Sequence, residues 1–328
     1  MPTVAPDKIL KQLADLWVST ARQGDGDGGE GVLRACAMTL VVLTEESEDV
    51  STLGETLAAL MPEHPARAIV IRLRGAGERD LAERVYAQCW KPFGQRRQIC
   101  CEQVEIIASD AALADVPSVV LPLAVADLPV VFWCRSPRVV QVPEFRELTA
   151  LATRIIVDSG AFPDPVAALQ WLDEAVKRPR PLMADLAWTR LTRWRETLSQ
   201  VFENRQNLAR LAGTVQVLIG DTGAVATRAL YFGAWVKDGL ESLGAMVPTI
   251  RIVRSPMPFI ELATDGFKVR LEREDERLIT TIDSVAHCTS LPLPTDYLLL
   301  REELGIMRRD PVFEKTLSSA TRVAYATE

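Results

Sequence analysis

Residues 32–73 read VLRACAMTLVVLTEESEDVSTLGETLAALMPEHPARAIVIRL, and this stretch decides the fold class. Its first part, residues 32–44, is apolar and β-branched, which predicts a strand. Residues 50–60 carry leucines at helical spacing and stop before Pro62, so they predict a helix. Residues 66–73 are again β-branched and predict a second strand. A strand, a helix and a strand in succession indicate an α/β fold.

The same alternation continues on both sides of this stretch. Apolar residues at helical spacing over residues 6–22 predict an N-terminal helix, and the glycine- and aspartate-rich run 23–31 predicts a flexible linker. Further strands are predicted at 99–108, 128–134 and 154–157, with helices at 144–152 and 166–177 and a weaker, proline-interrupted helix at 111–125. The first half is therefore predicted to be a three-layer domain, with its sheet covered by helices.

The second half predicts a smaller, mixed α/β domain with an antiparallel portion. A long helix is expected over residues 183–204, with Asp185 as its N-cap, and others over 224–243 and from 295. Strands are expected at 214–219, 249–253, 259–263, 267–272 and 278–288. The Arg-Pro-Arg-Pro run 178–181 predicts the boundary. We thus expect a helix and linker (1–30), an N-terminal α/β domain (31–180) and a C-terminal α/β domain (181–328).

The bulk properties exclude several functional classes. The 328 residues carry a net charge of -7, which argues against a nucleic-acid-binding protein. No apolar run reaches the roughly 20 residues needed to span a bilayer. The N-terminus lacks a basic stretch followed by an apolar one, so no signal peptide is predicted. We expect a cytoplasmic protein without nucleic-acid or membrane partners.

The cysteines give no sign of a metal or disulfide framework. In a chain of this length we expect them to be reduced thiols that pack as small apolar side chains. A redox role for one of them and metal binding stay as alternatives. No C-x-x-C is present and the chain has two histidines, so neither a metal site nor a cofactor is predicted. The six cysteines are Cys36, Cys89, Cys100, Cys101, Cys134 and Cys288.

The glycine-containing turn at residues 220–223 follows a predicted strand and precedes a predicted helix. Such a turn can hold a phosphate on the amides of the helix N-terminus. The turn lacks the Lys-Ser/Thr of a Walker loop and the third glycine of a dinucleotide fingerprint. A tight strand-to-helix turn is the first interpretation, and anion binding is the alternative.

Polar residues at strand ends indicate a possible pocket. The phrase His64-Pro65-Ala66-Arg67 stands at a helix-to-strand junction. Arg135, Asp158 and Ser159 follow predicted strands, and the carboxyl ends of such strands form the ligand crevice of α/β sheets. The candidate pocket residues are His64, Arg67, Arg135, Asp158 and Ser159. The alternative is that these residues fix the junction and cap the loops.

Residues 185–195 combine tryptophans and arginines on one predicted helix. Tryptophan and arginine are the side chains most enriched at protein–protein hot spots. The candidate partner-binding residues are Trp188, Arg190, Arg193, Trp194 and Arg195. The alternative is that the tryptophans fill a seam and the arginines pair with nearby carboxylates.

Five phrases, at residues 64–70, 101–106, 126–133, 154–159 and 185–195, resemble in order and wording the glucose-6-phosphate dehydrogenase assembly protein (OpcA) family. The resemblance covers roughly residues 33–240 and is weaker after about 245. Members of that family bind glucose-6-phosphate dehydrogenase, promote its active form and are not dehydrogenases themselves.

The resemblance implies a non-catalytic assembly factor or allosteric activator, with no catalytic residues and no cofactor. Its partner would be glucose-6-phosphate dehydrogenase of the oxidative pentose phosphate pathway. An enzyme or sensor that binds a phosphorylated sugar or nucleotide remains the alternative, supported by Arg67, Arg135 and the turn at Gly220. The absence of a nucleophile–base pair in the sequence counts against that alternative.

Overall fold

The computed structural model describes residues 4–25, 32–90, 98–140, 143–211, 213–222, 226–247, 249–322 and 325–327. The chain divides into two compact units. Unit 1 comprises residues 1–157 and 179–184, and unit 2 comprises residues 158–178 and 185–328. The chain therefore leaves unit 1 after Val157, returns to it for a short segment and leaves it again at Asp185.

Unit 1 is built on an eight-stranded sheet. Its strands are β1 (Val32–Arg34), β2 (Met38–Glu45), β3 (Ala66–Gly75), β4 (Leu81–Trp90), β5 (Gln98–Ser109), β6 (Val130–Cys134), β7 (Arg154–Val157) and β8 (Leu182–Asp185). Its helices are α1 (Pro6–Asp25), α2 (Val50–Leu60), α3 (Val116–Val120) and α4 (Arg146–Leu151). The α/β class predicted from the sequence is confirmed.

The strand order of this sheet is that of a dinucleotide-binding fold. The path runs β1-β5-β3-β2-β6-β7-β8, and β4 pairs antiparallel with β5. Without β1 and β4, the six remaining strands follow the order 3-2-1-4-5-6 in chain sequence, which is the Rossmann order. The order reverses between β2 and β6, which pair in parallel. In open α/β sheets, ligands bind at the carboxyl ends of the strands beside such a reversal.

Burial explains why the central strands β2 and β3 could be predicted from the sequence. Seven of the eight residues of β2 and eight of the ten residues of β3 are buried. A strand that is covered on both faces reads as a continuous apolar run instead of an alternating one. Helix α2 begins after Asp49, whose carboxylate accepts hydrogen bonds from the amides of Ser51 and Thr52. This N-cap satisfies two amides that would otherwise lack a partner in the helix.

Three predictions for unit 1 need correction. The single strand expected over residues 32–44 is two strands, β1 and β2. Strand β4 was not predicted, because its mixed polar and apolar sequence shows no clear alternation. The weak helix expected over residues 111–125 is the short α3 between two 3-10 turns, as its two prolines would suggest. Most of the predicted linker, residues 26–31, lies outside the described residues.

Unit 2 is a mixed sheet with helices. Its strands are β9 (Gln216–Asp221), β10 (Ile250–Arg254), β11 (Phe259–Thr264), β12 (Phe267–Glu274), β13 (Arg277–Ile282), β14 (Val285–Ser290) and β15 (Tyr325–Thr327). Its helices are α5 (Pro165–Val176), α6 (Leu186–Thr189), α7 (Thr192–Glu203), α8 (Arg205–Ala209), α9 (Thr227–Ser242), α10 (Asp296–Gly305) and α11 (Pro311–Ala320). The described strands pair in the order β14-β13-β12-β11-β9-β10-β15, and β11 to β14 form the predicted antiparallel portion.

The turns of unit 2 correct two predictions. The long helix expected over residues 183–204 is the end of β8 followed by α6 and α7, and Asp185 caps α6 as predicted. The strand expected over residues 278–288 is the hairpin of β13 and β14. Asp283 in this turn has a φ of 52°, a left-handed conformation that aspartate adopts more readily than most residues. The predicted helix from residue 295 is α10, and α11 was not predicted.

The cysteines differ from the prediction at one pair and at Cys288, which is an exposed free thiol. Cys89 and Cys100 face each other across β4 and β5 and form a disulfide, so these two are not reduced thiols. Cys101 and Cys134 are buried free thiols, as expected for small apolar spacers. Burial raises the pKa of Cys101 to about 11 and that of Cys134 to about 12, so both stay protonated near neutral pH.

Candidate functional site

The strand reversal of unit 1 places an acidic loop where a dinucleotide-binding fold carries glycines. The chain leaves β2 as Glu45-Glu46-Ser47-Glu48-Asp49 and enters α2 directly. The amides of Ser51 and Thr52, at the start of α2, already bond the carboxylate of Asp49. A phosphate at this helix N-terminus would therefore meet acceptors and negative charge instead of free donors.

Arginines from neighbouring segments neutralise this acidic loop. Arg74 Nε lies 2.9 Å from Glu46, and Arg135 Nε lies 2.7 Å from Glu48. Arg138 Nη1 lies 3.2 Å from Glu45. The bond from Arg74 holds the pKa of Glu46 below its usual value. We call these six residues the switch-point crevice, and their charges are satisfied within it.

The predicted pocket residues of unit 1 lie at opposite ends of its sheet. Arg67 lies near the amino end of β3, where its guanidinium pairs with the buried carboxylate of Glu102 and donates to the Leu123 carbonyl at 2.7 Å. His64 lies at the same end, just before β3. Arg135 follows β6 at the carboxyl end and stacks on Trp133, with 4.6 Å from its guanidinium carbon to the ring centroid. Arg67 is thus part of a buried ion pair.

The other two predicted pocket residues, Asp158 and Ser159, belong to unit 2. Both oxygens of Asp158 accept hydrogen bonds from Arg190 at 2.7 Å, a bidentate pair. The Ser159 amide donates to the buried carboxylate of Asp185 at 2.9 Å. A pocket role for His64, Arg67, Arg135, Asp158 and Ser159 stays a prediction.

Asp185 is the buried centre of a hydrogen-bond network in unit 2. Besides the Ser159 amide, it accepts from the Ala187 amide at 3.0 Å and from the Tyr231 hydroxyl at 2.8 Å. Burial raises the pKa of Asp185 above its usual value, and the hydrogen bonds from Ser159 and Ala187 oppose that shift. This network fixes the start of α6, from which the tryptophan- and arginine-rich stretch follows.

The predicted partner-binding residues separate into buried and exposed ones. Trp188 is buried against Tyr231 and Phe313, and Trp194 packs edge-on against Phe232. Both tryptophans therefore pack within unit 2. In contrast, the side chain of Arg193 is 76% exposed and pairs with the nearby Glu196 on the surface of α7.

The remaining member of that set, Arg195, is a partly buried arginine on an aromatic ring. Its guanidinium carbon lies 3.4 Å from the Trp188 ring centroid, and its Nη2 donates to Thr192 at 3.1 Å. Burial lowers the pKa of Arg195 to about 10, so it remains charged at neutral pH. Stacking on an electron-rich ring face stabilises such a cation.

A cavity of about 1100 Å³ opens within unit 2 next to this stretch. Its lining includes Arg193 and Thr197 of α7, the run Leu291-Pro292-Leu293-Pro294 and residues of α10. Phe232 and Phe259 lie in its floor. We call this cavity the unit 2 groove, and it is bounded by residues of one unit.

Gly220, in the last residues of β9, borders this groove next to Phe259. A Cβ atom on Gly220 would lie 2.2 Å from the ring of Phe259, so a side chain has no room there. Gly220 thereby admits the ring that borders the groove. Gly220 and Asp221 are the last residues of β9, so the close approach of Phe259, and not a tight turn, accounts for this glycine. Gly223 lies outside the described residues.

The groove contains an arginine, Arg273, that bonds neutral groups, although the chain as a whole is acidic. Arg273 donates to the carbonyl oxygens of Asp275 and Leu291, which are neutral groups and leave its charge uncompensated. Arg228 pairs with Asp221. Two other arginines that line the groove are also paired, Arg190 with Asp158 and Arg193 with Glu196.

Sequence reasoning found part of the groove wall and missed the rest. The missed residues include Arg228, Arg273, Leu293 and Leu298. One signal was available in the sequence, because the proline-rich run 291–294 keeps two leucines outside regular structure. The arginines carry no such signal, since their convergence depends on how β12, α9 and α10 pack.

Within the described ranges, no group of three or more histidine, cysteine, aspartate or glutamate residues is arranged to hold a metal ion. No helix in the described part of the chain is long and apolar enough to cross a membrane.

Comparison with known proteins identifies two consecutive domains. Residues 57–174 match the glucose-6-phosphate dehydrogenase subunit N-terminal domain, and residues 181–317 match the corresponding C-terminal domain. Both belong to the models of the OpcA assembly proteins. The two matches together cover most of the chain.

Curated relatives carry the same family name. A protein of Synechocystis sp., named as an OxPP cycle protein OpcA, is 26% identical over 215 residues, which is 65% of this chain and 44% of the relative. A protein of the same name from Nostoc punctiforme is 31% identical over 143 residues, 44% of this chain and 30% of the relative. The matched regions thus span less than half of each of these two relatives.

Among solved structures, an oxidoreductase from Sinorhizobium meliloti is 11% identical with a TM-score of 0.47. The similarity covers 87% of this chain and 95% of that chain. With a TM-score below 0.5 and so low an identity, this likeness gives no information on function.

Proposed function

The chain belongs to the OpcA family of glucose-6-phosphate dehydrogenase assembly proteins, and on that premise we propose that it binds glucose-6-phosphate dehydrogenase and promotes its active form. The observation that carries this proposal is the pair of consecutive domain matches over residues 57–174 and 181–317. We further propose that the chain acts in the cytoplasm as an allosteric activator and is not itself an enzyme.

The switch-point crevice supports the non-catalytic part of this proposal. A dinucleotide pyrophosphate needs free amide donors and a positive surface at the start of the first helix. Here the carboxylates of Glu45, Glu46 and Glu48 occupy the loop, and Asp49 occupies the first amides of α2. Because these carboxylates already bond the nearby arginines and the helix amides, a pyrophosphate would have to displace them to bind at this position.

Side-chain exposure limits which residues of the tryptophan- and arginine-rich stretch 185–195 can contact the partner directly. Trp188 and Trp194 are buried and support the shape of α6 and α7. Arg193 is exposed, whereas Arg190 and Arg195 are partly buried. We therefore assign direct partner contact to Arg193, and a supporting role to the two tryptophans.

The experiment uses the dehydrogenase encoded by the same genome. Purified dehydrogenase is assayed for NADP reduction with glucose 6-phosphate, alone and with increasing amounts of this chain, while its mass is followed by sedimentation. We expect a complex, a larger dehydrogenase oligomer and a saturable rise in activity. The isolated chain should give no turnover.

Two results would contradict the proposal. If the chain and the dehydrogenase sediment separately at micromolar concentrations, the proposed partner is wrong. If the chain reduces NADP by itself after removal of contaminating dehydrogenase, the non-catalytic assignment is wrong.

A further inference from the structure

We propose that the unit 2 groove is the docking surface for an acidic, partly apolar segment of the partner protein. This inference rests on the proposed function and deepens it, because it names the surface and the chemistry of the segment that binds there. The shape, the apolar content and the charge of the groove support this assignment.

The shape of the groove fits a polypeptide segment. Pockets for small molecules commonly enclose about 300–1,000 Å³ and bury most of the ligand. The unit 2 groove has a volume of about 1100 Å³, and its lining includes residues of α7 and the run 291–294. An open channel between a helix and a loop can accommodate a helix or an extended segment.

The apolar content of the groove supplies anchoring surface. On its rim, Leu293 is 70% exposed and Leu298 is 42% exposed. Phe232 and Phe259 lie deeper. Large apolar side chains that line a concavity next to polar residues are typical of interaction sites. A partner side chain placed between the two leucines would remove both from water.

The arginines of the groove favour the binding of an acidic segment. The whole chain carries a net charge of -7, so most of its surface repels an acidic partner. Of the arginines that line the groove, Arg190 pairs with Asp158 and Arg228 pairs with Asp221. Arg273 bonds neutral carbonyl oxygens, and Arg193 forms an exposed pair that water screens. Carboxylates of a docked segment would find the uncompensated guanidinium of Arg273 there and could compete with Glu196 for Arg193.

The test compares two groove variants with two matched controls. Leu293→Asp and Arg193→Glu change exposed groove residues, and a glutamate in the first turn of α7 is favoured by the helix dipole. The control Leu243→Asp changes a leucine that is 58% exposed at the far end of α9 from the groove. The control Arg205→Glu changes an exposed arginine in the first turn of α8, outside the groove lining.

We measure Kd for the same-genome dehydrogenase at low and high salt for all four variants. We expect each groove variant to raise Kd by at least about tenfold and each control to stay within about twofold. Because the contact is charged, higher salt should weaken wild-type binding, and Arg193→Glu should reduce that salt dependence.

The outcomes separate the two proposals. If the wild-type chain binds and both groove variants bind equally well, the groove assignment is wrong and the proposed function stands. If the wild-type chain does not bind, both are wrong.

If the chain alone dimerises and Leu293→Asp abolishes the dimer, a second copy occupies the groove. If inorganic pyrophosphate displaces the dehydrogenase from wild type, the groove is a small-anion site. Either of these last two results overturns the proposal.

Discussion

The switch-point crevice of unit 1 and the groove of unit 2 are both lined with arginines, yet these arginines have different partners. In the crevice, Arg74 and Arg135 bond Glu46 and Glu48, which follow β2. In the groove, Arg273 bonds neutral carbonyl oxygens. The crevice thus neutralises its own charges, whereas the guanidinium of Arg273 in the groove bonds neutral groups.

This difference shows that the position of an arginine in the fold does not by itself identify a binding site. A guanidinium attracts an external anion when its own chain supplies no compensating charge. Strand order points to the crevice of unit 1, because that is where Rossmann-type folds bind ligands. Electrostatics and exposure point instead to the groove of unit 2.

The largest effect is expected from removing a buried counter-charge beside the crevice. Arg72 and Glu105 pair at 3.3 Å and are both buried, and Arg72 also donates to the Glu46 carbonyl at 2.6 Å. Glu105→Ala leaves a buried guanidinium without this carboxylate, so we expect a loss of about 3–5 kcal/mol in the free energy of unfolding. Urea denaturation followed by circular dichroism measures it. A loss below about 1 kcal/mol would show that Arg72 is better solvated than its burial implies.

A smaller effect is expected at the floor of the groove. Gly220→Ala places a methyl group 2.2 Å from the Phe259 ring, so the ring or the strand must shift. Overpacking of this kind costs about 1–3 kcal/mol. Gly239→Ala is the control, because no atom lies within 4 Å of a Cβ at that glycine of α9. Calorimetry of both variants checks the prediction, and equal melting temperatures would contradict it.

The N-cap of α2 should contribute about 1 kcal/mol. Asp49→Ala removes the acceptor for the Ser51 and Thr52 amides, and the loss of such a cap costs roughly that amount. Asp49→Asn keeps an acceptor oxygen and should retain most of the stability. If Asn and Ala at this position destabilise equally, the charge of Asp49 matters more than its hydrogen bonds.

The smallest effect is expected from the exposed pair beside the groove. Arg193 and Glu196 are both well exposed, so Glu196→Ala should change the free energy of unfolding by less than about 0.5 kcal/mol. The comparison with Glu105→Ala uses the same kind of ion pair at two levels of burial. A cost above about 1 kcal/mol would mean that Glu196 has a structural role that its exposure does not indicate.

The predictable part of the fold consists of elements with a clear local pattern. Strands β2 and β3 are continuous apolar runs because they are buried in the sheet. Helix α2 combines leucine spacing with an aspartate cap. The sequence of strand β4 has no clear alternation of apolar and polar residues, and the strand forms through its pairing with β5. The break between α6 and α7 could not be predicted, because the sequence of residues 186–203 is compatible with one continuous helix.

Sequence by itself determined the α/β class, the antiparallel part of unit 2 and the family resemblance, because these depend on short-range periodicity and on the wording of short phrases. Tertiary structure decided which arginines are neutralised. Arg67 meets Glu102 across 35 positions of sequence, and the groove joins α7 to residues about 100 positions later. Charge compensation acts over a few ångströms in space and not along the chain, so only the folded arrangement separates a satisfied arginine from one that can bind a partner.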